Sequence, residues 1–220
     1  MNIAHLHNWN LTPQAAIALQ QRLAAQVVTG PPLNLARTRL VAGVDVSVRD
    51  DISQAAVVVV TFPGLEPVET VTAAQPTPFP YIPGLLSFRE GPVLEAAFAR
   101  LQSEPDAFLF DGMGIMHPRR LGIAAHLGLW LDRPTVGCGK THLVGTYDAP
   151  GTARGACSAV VHRGERIGVV LRTREGVRPV YVSPGHRIDL DSAVALTLAC
   201  APRYRLPEPI RLAHRAAGRR

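Results

Sequence analysis

Apolar positions near the start of the chain recur with a helical period. Thr12-Pro13 offers a hydroxyl cap followed by proline at the first helical position, and AAIALQQRLAAQVV carries the helix to about Val28. TGPPLN breaks it, and the period then changes from helical to two. RLVAGVDVSV alternates, with Val44, Val46 and Val48 on one side and Gly43, Asp45 and Ser47 on the other. QAAVVVVTF is a continuous apolar run, the mark of a strand buried on both faces, and PVETVTAA is a weaker third strand. Helical spacing returns in LLSFREGPVLEAAFARLQ, with an irregularity expected at Gly91-Pro92. Further along, AFLFD predicts a buried strand, PRRLGIAAHLGLWL a helix and PTVGC a strand. SAVVHRGERIGVVLRT predicts a hairpin, GVRPVYVS a strand, DLDSAVALTLAC a helix capped by Asp189 or Asp191, and PIRLAH a last short helix.

Three successive strands suggest an antiparallel meander, and the alternation that follows suggests parallel strands joined by helices. The fold class is therefore α/β: a mixed sheet flanked by helices. No repeat, linker or low-complexity block interrupts the chain, so one domain over 1–220 is expected.

Composition narrows the function classes. The chain has 220 residues, 47% of them hydrophobic, which is enough for a sizeable core. No run of 18 apolar residues offers a membrane span, and MNIAHLHNWNLT lacks the pattern of a signal peptide. Cys138, Cys157 and Cys200 are odd in number and share no CxxC spacing, which argues against a disulfide framework or a zinc site. A cytoplasmic protein is expected. The net charge of +6 suits a polyanionic partner such as nucleic acid, and residues 201–220 carry six Arg against the single acid Glu208. Of the 23 basic residues only Lys140 is a lysine, in VGCGKTHLVG. A site that needs a compact, rotatable point charge would not accept arginine there.

Two features carry chemistry. In PTPFPYIPGLLSFREGP, four of five prolines stiffen a loop around Phe79 and Tyr81, and Glu90 follows closely. Asp45 interrupts a strand otherwise built for a core, with small neighbours Gly43 and Ser47 leaving room beside it. Asp111 ends AFLFD, where ligands bind in sheets with parallel strands. Three acids near buried strands and loops suggest a hard-cation site for Mg²⁺ or Mn²⁺, and with a basic surface they favour metal-assisted phosphodiester hydrolysis.

VAGVDVS, PYIPGLLSFRE, DGMGIMHPRRLGIAAHLGL, GKTHLVG, SPGHRIDLDSA and LPEPIRLAH together resemble the endonuclease V family, in family order over roughly 39–215. The resemblance implies a ribonuclease H-like fold and a repair endonuclease that nicks DNA 3′ to deoxyinosine and other deaminated bases. A preference for inosine in RNA or for structured nucleic acid is the alternative, and a monomer is expected. It implies Asp45, Glu90 and Asp111 as metal-binding acids, with His214 at a position where the family has Asp or His. Lys140 then fits as a charge on the phosphate or the attacking water.

A lesion inside a duplex must be extruded, and a stiff apolar wedge suits that task. Pro80, Tyr81, Ile82 and Pro83 are the candidate wedge, with Tyr81 able to stack on a base. His117 is expected on the phosphate or base side, and Arg119 and Arg120 on the backbone. Gly112, Gly139 and Gly185 are candidates for a tight pocket of backbone donors and acceptors. The usual GKSRL becomes GKTHL here, so His142 replaces a permanent charge; Met113 and Met116 fill variable positions for which the sequence offers no reason.

Overall fold

The computed structural model describes residue 1 and residues 3–218. α1 (Pro13–Ala24) begins as its sequence dictates: the Thr12 side chain accepts from the Ala15 N–H, and Pro13 opens the helix. β1 (Leu40–Arg49), β2 (Ile52–Thr61) and β3 (Pro67–Pro76) form the expected meander. α2 (Leu86–Phe98), β4 (Ala107–Phe110), α3 (Ile123–Leu131) and β5 (Thr135–Gly139) follow. Then come β6 (Cys157–His162), β7 (Glu165–Leu171), β8 (Val180–Pro184), α4 (Leu190–Ala199) and α5 (Glu208–Ala217).

All eight strands join one mixed sheet in the order β3-β2-β1-β4-β5-β8-β7-β6, with β1, β4 and β5 parallel to one another. Each face has its own core. Ala42, Val44, Phe108 and Phe110 point towards Leu94, Phe98 and the other apolar residues of α2 and α3. Val41, Leu109 and Val136 point towards α4 and α5, through Leu196, Ile210 and Ala213. A smaller core joins Leu19 and Leu23 of α1 to Phe88 and Leu121. No helix among the described residues is long and apolar enough to cross a membrane.

α1 ends at Ala24, short of the expected Val28, and three further local expectations differ from the structure. α2 runs through Gly91-Pro92 without a break. The ring of Trp9 lies against Gly91, 2.4 Å from where a side chain would begin, and this ring packs the helix where its sequence looks weakest. α3 starts at Ile123 rather than Pro118, because the Gly122 and Ala124 N–H groups donate to the Gly114 and Met113 carbonyls and fold the preceding turn back. The space beside Asp45 at Gly43 belongs to α5. A Cβ on Gly43 would stand 2.1 Å from the Pro209 backbone, so glycine lets that helix lie directly on β1.

Candidate active site

Strand register assembles the acids. Val44 opposite Phe110 is the last paired position of the parallel β1–β4 ladder, and the Asp111 N–H donates to the Val44 carbonyl at 3.0 Å. Asp45 and Asp111 come next, side by side, and neighbours across a ladder point to the same face. α5, seated on Gly43, brings His214 over them, with its Nδ1 2.6 Å from Asp45 Oδ2. Lys140 follows β5, and its Nζ forms an ion pair with Asp111 Oδ2.

The electrostatics are those of crowded like charges. Asp45 is 9% exposed. Burial, then the neighbouring charge of Asp111, raise its carboxyl above the ordinary range, while the His214 hydrogen bond and Lys140 oppose the rise. Glu90, on α2, is pushed up to about 8 by burial and by the charges of Asp45 and Asp111. Ligand atoms of Asp45, Asp111 and His214 lie within 4.8 Å of one another, a group that could hold a metal ion. Carboxylate oxygens with one imidazole suit a divalent cation, which would relieve this repulsion. Glu90 senses both aspartates but stands outside that group.

A cavity of about 340 Å³ adjoins the acids. Asp111 and Lys140 stand at its wall together with Tyr81, Ile82 and Pro83. Tyr81 is 70% exposed, an unusual state for so large a ring. Gly112 and Gly139 line the cavity; Gly185 does not, being packed against Thr135 and the Ala124 carbonyl in the interior. Two helices begin here. Leu86 and Ser87 of α2 and Ile123 of α3 line the cavity, and neither helix has a side-chain cap, since Leu85 and Gly122 hold the cap positions. The Leu86, Ser87 and Ile123 N–H groups in these first turns have no side-chain cap, and a helix start carries partial positive charge.

Around the cavity, the structure places His117, Met113, Met116 and His142, which the sequence singled out, and Gln20, which it did not. His117 is buried, and both its ring nitrogens are engaged inside the chain, with the Gly84 carbonyl and the Arg119 N–H. Gln20 bonds to the Gly84 and Leu121 carbonyls; its signal was a polar residue inside the apolar stripe Ala16–Leu19–Leu23 of α1. Met113 and Met116 gain a reason: they fill a small core with Val160, Ile167 and Val170 beneath the β6–β7 hairpin, a task for flexible, unbranched side chains. His142 packs its ring against Tyr147 and Tyr181, at 5.3 and 5.7 Å. Of the arginines after residue 200, Arg205 donates to the carbonyls of Lys140, Arg178 and Pro179 and so supports the lysine's loop. Arg219 and Arg220 lie outside the described residues.

A family model described as Endonuclease V matches residues 21–215. The endonuclease V of a Nostoc species is 49% identical over 222 residues, covering all of both chains. The crystal structure of the Streptomyces avermitilis endonuclease V superimposes with a TM-score of 0.91 at 42% identity, covering 96% of this chain and 93% of that one. The Ciona intestinalis endonuclease V, crystallised with a 24mer DNA containing an inosine followed by a ribo-adenosine, superimposes with a TM-score of 0.80 at 24% identity, covering 91% and 93%. The sheet order and its flanking helices are thus those of a ribonuclease H-like nuclease. With matched motifs, matched fold and a carboxylate cluster at the end of two parallel strands, the chain belongs to the endonuclease V family.

Proposed function

We propose that the chain is a Mg²⁺-dependent DNA-repair endonuclease that hydrolyses the phosphodiester bond 3′ to deoxyinosine. One observation carries the reading: Asp111, which clusters with Asp45 and His214, stands with its partner Lys140 at the wall of a cavity that a stiff loop with an exposed tyrosine also lines. Family membership supports the reaction class.

Asp45, Asp111 and His214 would hold the divalent ion, with Glu90 close enough to share its charge. When bound, the ion supplies charge neutralisation at the phosphate and activation of water. The protein's own residues do the rest. Lys140, paired with Asp111, is placed to meet a nonbridging phosphate oxygen as a point charge. The uncapped N–H groups at Leu86, Ser87 and Ile123 are donors for an acceptor edge, and hypoxanthine presents O6 and N7. Tyr81, carried between Pro80 and Pro83, fills the gap that an extruded base leaves.

The test is a nicking assay on matched DNA and RNA strands containing inosine, uracil, xanthine, a mismatch or no lesion, with Mg²⁺ and Mn²⁺ compared. Nicking of the deoxyinosine strand above all others is expected. Equal cutting of undamaged strands would overturn the reading, and a stronger effect on inosine in RNA would move the substrate to RNA.

A further inference from the structure

The stiff loop is mounted at both ends by side chains that the cleavage chemistry does not use. At its start, Arg89 Nη1 donates to the Phe79 carbonyl at 2.9 Å. At its end, the Gly84 carbonyl accepts from Gln20 Nε2 at 3.0 Å, His117 Nε2 at 3.0 Å and Arg119 Nη2 at 2.8 Å. A carbonyl offers two lone pairs, so three donors saturate it. Gly84 has φ 81°, and a side chain there would meet Arg119 Nη2 at 2.8 Å. Only glycine accepts both the conformation and the guanidinium.

The donors also brace one another. Arg119 Nε donates to Gln20 Oε1 at 2.6 Å, and the Arg119 N–H donates to His117 Nδ1 at 3.2 Å. Because the Gly84 carbonyl can only accept, His117 carries its proton on Nε2 and keeps Nδ1 free to accept. Burial, then the charge of Arg119, push the imidazole down to about 4, so this neutral form holds at neutral pH. Gln20 and His117 are 1% and 3% exposed. A buried polar network with its members satisfied rigidifies what it holds. Against this fixed base, the tip at Tyr81 is open to solvent.

We propose that Gln20, His117, Arg119 and Arg89 are positioning residues for the wedge. By holding the Phe79 and Gly84 carbonyls, they set the offset between the point where Tyr81 enters a duplex and the cavity that receives the base. His117 and Arg119 then serve the protein's own loop rather than a phosphate. The inference rests on the reading of Tyr81 as a wedge. It brings in α1, whose sequence carries no site motif, through Gln20.

Two inosine substrates, one duplex and one single-stranded, test it under single-turnover conditions with the full chain and Mg²⁺. Arg119→Met and Gln20→Met should each slow duplex nicking about tenfold, the scale of a small misplacement at a reacting centre. The single-stranded substrate should lose less than about threefold, because no stack has to be opened. Combining either variant with Tyr81→Ala should cost little more in the duplex-to-single-strand ratio than Tyr81→Ala alone, since both act through one element. His117→Gln, which can still donate to Gly84, should keep the ratio, and His117→Leu should lose it. If Gln20→Met fails to fold, Arg119→Met at its half-buried position carries the same comparison. Equal losses on both substrates, or losses that multiply with Tyr81→Ala, overturn the inference. A Tyr81→Ala enzyme with an unchanged ratio overturns the wedge reading, and the inference with it.

Discussion

The acid cluster and the loop that meet at the cavity are built by opposite means. Asp45 and Asp111 are carried on or just after strands in the middle of the sheet, and their spacing is the spacing of two hydrogen-bonded strands. Tyr81 is carried on a loop outside the sheet, and its position depends on prolines and on carbonyls held from beneath. The first arrangement cannot move without unpairing a ladder. The second can be loosened by one side chain while the fold survives. The acids therefore gain their precision from the core, and the Tyr81 loop gains its own from a local polar network.

Removing a carboxylate should break the acid cluster most completely. Asp45→Ala or Asp111→Ala is expected to reduce nicking of an inosine oligonucleotide at least ~10³-fold, the loss of several kcal/mol of charge stabilisation at the metal. Substrate binding by gel shift should largely survive, because the loop and cavity remain. Full activity in both variants would show that the ladder does not build the catalytic centre.

Gly43→Ala strikes the same cluster through packing. The added methyl overlaps the Pro209 backbone, so α5 must shift and take His214 away from Asp45. A destabilisation of about 1–3 kcal/mol is expected, as for other overpacked cores. Nicking should fall as well, while the Tyr81 loop stays in place. Thermal unfolding and the duplex-to-single-strand ratio separate these effects: the Tm should fall and the ratio should not.

The smallest effect sharpens the contrast from behind α2. Ser87, His126 and His7 form a chain of hydrogen bonds, at 2.8 Å and 2.7 Å, that ends on the Asn8 carbonyl. Burial lowers the pKa of both imidazoles. His7 also feels Glu95, which raises its value, and Arg22, which lowers it; His126 feels His7 and His117. Both histidines take protons less readily when folded than when unfolded. Their contribution is therefore complete above the ordinary imidazole value of 6.5 and declines as the pH falls below it. Melting between pH 7.5 and 5.5 should lower the Tm by about 2–4 °C for each kcal/mol lost. His7→Phe should flatten that slope, and an unchanged slope would place the acid sensitivity elsewhere.

Much of this protein was legible in its sequence because the signals were local. Period two in VAGVDVS, the valine run of β2 and the Thr-Pro cap of α1 predicted elements that the structure contains. An aspartate in an apolar strand, another at a strand's end and a lone lysine nominated the residues that now cluster. Boundaries set by distant partners were less legible. The start of α3 depends on carbonyls of the preceding turn, and Gly91 of α2 packs against Trp9, far away in the chain.

By itself, then, the sequence determined the element order, the family and the chemical types at the site, since these follow from nearest-neighbour propensities and motif spacing. Tertiary structure alone decided which atoms meet. Register set Asp45 beside Asp111, the missing side chain of Gly43 let α5 deliver His214, and Gly84 drew Gln20 and Arg119 beneath the loop. Each of these is a contact between residues far apart along the chain. Such contacts exist only once the core has closed, because side chains without a shared wall leave no periodic trace of one another.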